Sequence, residues 1–168
     1  MTRDAAVLHL GAERTALTHG GGGDDDEVML APGWLIIGRK HLSRTPLHAI
    51  DIEQAIDTIE DALMQVPNDV RGLALSGSDP VLRNIARIAG LNDEASTLPR
   101  DVVEKTFERM VAIPLGRPSS QDPMPADMNF VASLLLLREI MHHLGFPSIT
   151  LSGAASGHRD ELAWAQGK

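Results

Sequence analysis

The chain has 168 residues, is 43% hydrophobic, carries a formal net charge of −8, and contains no cysteine and no tyrosine. That length and apolar content suit a single globular domain and exclude wholesale disorder, while the missing cysteines exclude disulfides, a thiolate nucleophile and cysteine-based zinc sites. An acidic chain with three Phe and two Trp has little means of attracting or stacking on nucleic acid, and its longest apolar run, Leu134–Leu137, is far too short to span a membrane.

Ala5–Leu10 reads as a buried strand that stops at Gly11, and Arg14–Thr18 as a second, which makes Gly11–Glu13 a tight hairpin. No signal peptide is visible ahead of them, and the cytoplasm is the expected compartment. Residues 20–27 (GGGGDDDE) form a flexible acidic Gly/Asp loop. The loop lacks the alternating spacing of a calcium-binding loop. Val28–Leu30 is a candidate third strand, and Trp34–Ile37 is either a strand or the start of a short helix.

Asp51–Val66 is the clearest helix. Ile52, Ala55, Ile56, Ile59, Leu63 and Val66 form its apolar stripe, and Asp57, Glu60 and Asp61 its polar side. Gly72–Leu75 is a short strand and Ser76-Gly77-Ser78 a turn. Asp79 as N-cap and Pro80 at the first position open the next helix, through Ala89. Asp101 and Glu104 suggest a capping box for a helix to about Val111. Residues 116–125 hold three prolines and read as a loop. Met128–Leu144 is a long helix, apolar on most of its circumference and therefore central, with Gly145 in its C-terminal left-handed position. Ser148–Leu151 is the last strand. A turn at 153–157 and a short helix at 158–164 close the chain.

A hairpin followed by strand–helix alternation implies a mixed α/β sheet with helices on its faces. The order matches the ribonuclease H-like arrangement used by each lobe of the actin-like ATPase folds. Within that frame, several segments together resemble the exopolyphosphatase / guanosine pentaphosphate phosphohydrolase family, specifically the second lobe of its catalytic module. Where the family has D-[IV]-G-G-G-S-T, this chain has His9-Leu10-Gly11-Ala12-Glu13-Arg14-Thr15. Its apolar strand and the Gly-x-x-x-L-T segment that follows resemble Met29–Leu42, and its second glycine turn resembles Ser76-Gly77-Ser78. Ala126-Asp127 precedes the long helix, and Thr150-Leu151-Ser152 with Gly157–Leu162 resembles the closing motif.

In such a lobe two glycine turns aim N–H groups at phosphate oxygens. The resemblance therefore implies Gly11, Arg14, Thr15, Ser76, Gly77 and Ser78 as candidate phosphate-binding residues. A plain hairpin turn competes with that reading at Gly11–Thr15, and Asp79 as N-cap would occupy the donors at the second turn. Ala12 and Glu13 stand in place of two glycines, Ser76 in place of a third, and His9 in place of an aspartate expected near a metal ion or its waters. The family's first lobe, with its catalytic glutamate, has no counterpart here. No catalytic residue is assigned, and the chain is expected to be a degenerate domain, non-catalytic alone, that binds a phosphate ligand or serves in assembly. The alternative is an active hydrolase of polyphosphate or guanosine pentaphosphate, using Mg²⁺, once a partner lobe completes it.

Self-association or a partner chain is expected at the face ringed by residues 11–15, 76–79 and 153–157. No protein-bound metal site is expected from histidine spacing. His142 and His143 point about 100° apart on their helix and read as surface or rim residues.

Overall fold

A computed structural model describes residues 5–19, 27–44, 47–112 and 127–152. The expected acidic loop, the proline-rich loop and the closing turn and helix lie outside these residues, apart from Glu27. The strands are β1 (Ala5–Leu10), β2 (Arg14–His19), β3 (Glu27–Pro32), β4 (Ala74–Gly77), β5 (Thr97–Pro99) and β6 (Ser148–Leu151). The helices are α1 (Trp34–His41), α2 (Ala49–Leu63), α3 (Pro80–Ile88), α4 (Arg100–Ala112) and α5 (Met128–His143). The six strands form one sheet in the order β3-β2-β1-β4-β6-β5. β1, β4 and β6 are mutually parallel, and β2, β3 and β5 join antiparallel. This is the mixed α/β, ribonuclease H-like arrangement expected from the sequence.

The pleat explains the core. Along β1, Ala6, Leu8 and Leu10 are buried and Ala5, Val7 and His9 are exposed. The inward residues join Leu75, Leu98, Ile149 and Leu151 in one apolar cluster with the helices. α5 lies across its middle, with Phe130, Leu134, Leu137 and Met141 all buried. Its start is capped by Asp127, whose carboxylate accepts from the Asn129 N–H. Its end is followed by Gly145 at φ +74°, where a side chain would be strained. α2 buries Ile52, Ala55, Ile59 and Leu63, the stripe expected from its sequence.

One open choice is settled and several boundaries differ from the sequence expectation: α2 ends at Leu63 rather than Val66, and α4 begins at Arg100, with Asp101 inside the helix rather than capping it. Trp34–His41 is a helix, because the hairpin turn supplies acceptors for its first N–H groups. α2 starts two residues earlier than expected, since Asp51 accepts from the His48 N–H at 3.0 Å and caps the helix at His48. β4 runs Ala74–Gly77 rather than Gly72–Leu75. Gly72 adopts φ +72°, which no strand accommodates, while Ser76 and Gly77 pair with Thr150 and Leu151 of β6. β5 was not foreseen. It is a three-residue edge ending in Pro99, held by register with β6.

Candidate functional site

The parallel strands β1, β4 and β6 end at one edge of the sheet, where open α/β folds place ligands. Gly11 follows β1, Ser78 and Asp79 follow β4, and Ser152 follows β6. The Ser152 N–H and Oγ both donate to the Gly77 carbonyl, at 2.9 and 3.2 Å, tying the last two strand ends together.

The first turn is clamped from behind by α1. The N–H groups of Gly33, Trp34 and Leu35 donate to the carbonyls of Glu13, Gly11 and Ala12 at 3.0, 3.0 and 2.9 Å. The helix therefore spends its N-terminal donors on the turn itself. The Gly11 N–H donates to the Arg14 carbonyl at 3.1 Å and closes the hairpin. Gly11 is needed for closeness rather than for a left-handed backbone: a Cβ there would stand 2.8 Å from His9 Nε2 and from the Arg14 carbonyl oxygen. No described non-glycine residue has positive φ, so Ala12 and Glu13 fit the turn without strain.

The structure does not gather the candidate residues of this turn into one cradle. The Arg14 guanidinium makes a two-bond contact with the Glu27 carboxylate, at 2.8 and 3.1 Å. Thr15 is fully buried, and its hydroxyl donates to the Pro32 carbonyl at 3.0 Å. A shallow groove beside the turn is lined by Glu13, Arg14, Met29, Pro32, Ala62 and Gln65.

At the second turn, Ser76 sits within β4 with its hydroxyl 3.4 Å from the Ala6 carbonyl. Gly77 is buried, and a Cβ there would overlap Leu82 of α3. Ser78 is exposed. Asp79 occupies the N-cap position of α3, but its side chain does not cap that helix, which corrects the expectation that it would. It crosses to β1 instead: Oδ2 accepts from the Leu10 N–H at 2.8 Å, and Oδ1 lies 3.5 Å from His9 Nδ1. β1 and β4 pair only as far as Val7 and Ser76. Beyond that point no further residue pairs are formed, and the Asp79 carboxylate takes the Leu10 N–H.

The arrangement is thus an anion held at the strand ends by a backbone N–H and an imidazole edge, and the anion belongs to the protein. Mg²⁺ prefers near-octahedral oxygen donors. Asp79 is the carboxylate that the described residues place between these strand ends, and it is already engaged. The described residues at these strand ends do not by themselves make up a Mg²⁺ site.

Sequence reading missed a second cluster. Glu60 on α2 and Glu139 and His143 on α5 bring three donor atoms within 4.8 Å of one another. The available signal was Glu139-x-x-x-His143, which puts both side chains on one helical face. His142 is exposed and His143, expected at the surface or rim, is 35% exposed; its ring reaches Glu60 of α2 as well as Glu139 of its own helix.

No family model and no curated protein matches the sequence. Solved structures do match. A Ppx/GppA enzyme structure from Aquifex aeolicus superposes with a TM-score of 0.66 at 14% identity, over 88% of this chain and 52% of that one. Another structure of the Aquifex aeolicus Ppx/GppA family member gives 0.66 at 13% identity, over 98% and 57%. An exopolyphosphatase-like protein gives 0.60 at 15%, over 88% and 54%. The chain has the fold of these proteins and spans about half the length of each. No helix among the described residues is long and apolar enough to cross a membrane.

Proposed function

We propose that this chain is a non-catalytic domain of the exopolyphosphatase-like fold, acting through binding or assembly rather than turnover. The observation that carries this reading is the Asp79 carboxylate, bonded to the Leu10 N–H at 2.8 Å between the ends of β1 and β4. A phosphate oxygen seeking that N–H meets an anion already in place. At about 5 Å and an effective dielectric near 20, carboxylate and phosphate charges repel by roughly 3 kcal/mol, which lowers affinity more than a hundredfold. Arg14 does not offset this, because Glu27 holds its guanidinium. The chain spans about half of the enzymes whose fold it shares. In this reading a partner chain or a second copy meets the strand-end edge.

A second reading is favoured by His9. Its Nδ1 faces a carboxylate at the strand ends, an arrangement that leaves Nε2 to take a proton from water. In that reading the chain hydrolyses polyphosphate or guanosine pentaphosphate once a partner supplies the remaining donors and the Mg²⁺ ligands.

Phosphate release from both substrates by the purified chain, with Mg²⁺ present, separates the two. The first reading expects no turnover, and binding of tripolyphosphate only once the Asp79 carboxylate is removed, as in Asp79→Ala or a Glu13→Gly, Asp79→Ala double variant. Robust turnover by the unaltered chain, lost in His9→Ala, overturns it in favour of the second.

A further inference from the structure

We infer that Glu60, Glu139 and His143 form a site for one first-row divalent cation that ties α2 to α5. Glu139 is fully buried on α5, the most apolar of the described helices. An ionised carboxylate in such a place requires compensation at both oxygens. Arg138 pairs with Oε2, and also holds Glu104 at 3.0 Å and lies over the Phe107 ring at 4.5 Å. Oε1 turns the other way, to His143 Nε2 at 3.1 Å. The same nitrogen is 3.1 Å from Glu60 Oε2.

One imidazole nitrogen carries at most one proton and cannot direct it along two good axes to two carboxylates. A cation at the point of convergence satisfies all three groups. Donors at about 2.1 Å from a shared ion stand about 3.0–3.4 Å apart at octahedral to tetrahedral angles, which matches the two 3.1 Å separations to His143 Nε2; the two carboxylate oxygens lie within 4.8 Å of each other, and the half-exposed Glu60 side chain must swing inward for both to reach one ion. One nitrogen and two carboxylate oxygens suit Zn²⁺, Mn²⁺ or Co²⁺ better than Mg²⁺ or Ca²⁺, which take oxygen.

The charges agree. Glu60, Glu139 and Glu104, against Arg138 and the Arg71 guanidinium at the His143 carbonyl, leave the cluster net negative, which favours a cation. Arg71 donates to the His143 carbonyl and to Asn68, fixing the last turn of α5. Glu60 and His143 side chains are 39% and 35% exposed, which leaves one side open to water or a further ligand. The Gly72 N–H donates to the Leu144 carbonyl at 3.1 Å, so this end of α5 lies by the start of β4. Asp79 lies beyond the other end of that strand. The cation is therefore a structural tie, separate from the strand-end edge.

The test is titration of the chelator-stripped full chain with Zn²⁺ against a chromophoric competitor, with Co²⁺ spectra and thermal midpoints in parallel. One equivalent should bind, the midpoint should rise, and Co²⁺ should show ligand-field bands without thiolate charge transfer. His143→Ala and Glu60→Gln should each weaken binding at least tenfold while keeping the far-ultraviolet circular dichroism; His142→Ala should not. Glu139 is left intact in these variants because its removal strands Arg138. Absence of one-equivalent binding overturns the proposal, as does affinity unchanged in both variants, which would place the ion elsewhere, such as the acidic run 24–27. A midpoint that falls in His143→Ala yet ignores Zn²⁺ in the unaltered chain also overturns it, in favour of a shared proton.

Discussion

Replacing Gly33 by Ala should strip the clamp that α1 places on the first turn. Gly33 has φ −78° and ψ 172°, a backbone that alanine adopts freely, so any cost comes from crowding alone. A Cβ at this position would overlap the Ala12 carbonyl and stand 2.5 Å from the Arg14 nitrogen. Those atoms are backbone and cannot rotate away. The turn and the helix must separate, which threatens the three hydrogen bonds from Gly33, Trp34 and Leu35. At about 0.5–1.5 kcal/mol net each, they amount to roughly 2–4 kcal/mol. Overpacking typically costs about 1–3 kcal/mol, and part of that is the same loss counted differently. The expected destabilisation is about 3–5 kcal/mol, a large fraction of a small domain's stability. Urea titration reads it as a lowered midpoint at unchanged slope. Gly38→Ala in the same helix is the control. There the added methyl meets Met128 Cγ at 2.8 Å, a side chain that has to turn as a whole but is not backbone. Helix propensity returns about 1 kcal/mol, so Gly38→Ala should cost at least about 1 kcal/mol less than Gly33→Ala. A Gly33→Ala cost below about 1 kcal/mol would refute the close approach of turn and helix.

Three further outcomes follow from packing and charge. Ile59→Ala should cost about 2–5 kcal/mol in a denaturant titration, since Ile59 is fully buried, whereas Asp57→Ala on the exposed side should change stability by less than about 0.5 kcal/mol. Arg138→Met should cost about 3–5 kcal/mol by leaving the buried Glu139 uncompensated, and adding Glu139→Leu should recover most of it; equal losses in single and double variants would contradict the pairing. Arg138 itself stays charged at any ordinary pH: burial opposes its charge, but hydrogen bonds to Glu139 and Glu104 outweigh that and raise its pKa. Burial, then Lys40, hold the His41 pKa below its ordinary value of about 6.5, against a pull from Asp51. The unfolded chain takes up that proton first, so this contribution is intact above about pH 6.5 and is lost as pH falls toward the lowered folded value. His41→Gln should flatten that part of the stability–pH curve, and an unchanged slope would count against it.

The fold was legible because its signals are local. The alternation of exposed and buried residues along β1 and the spacing of Ile52, Ala55, Ile59 and Leu63 each declare an inward face. β5 left no such signal, because three residues ending in proline become a strand only when β6 supplies the partner. The site was less legible for the same reason. Asp79-Pro80 reads as a helix cap from its neighbours, and nothing in that stretch reveals a carboxylate bonded to Leu10, 69 positions away. Arg14 looks available until Glu27, 13 positions on, is folded against it. Glu60 and His143 are 83 positions apart and meet only because α2 packs on α5.

The most direct measurement of the closed strand-end site is the Leu10 amide resonance in a ¹H–¹⁵N spectrum, followed during titration with pyrophosphate. With Asp79 in place the Leu10 amide should stay unmoved by added pyrophosphate. In Asp79→Ala it should first change position, through loss of the 2.8 Å hydrogen bond, and then shift saturably as pyrophosphate binds. A saturable Leu10 shift in the unaltered chain, or an Asp79→Ala spectrum in which the Leu10 amide has not moved, would contradict the account.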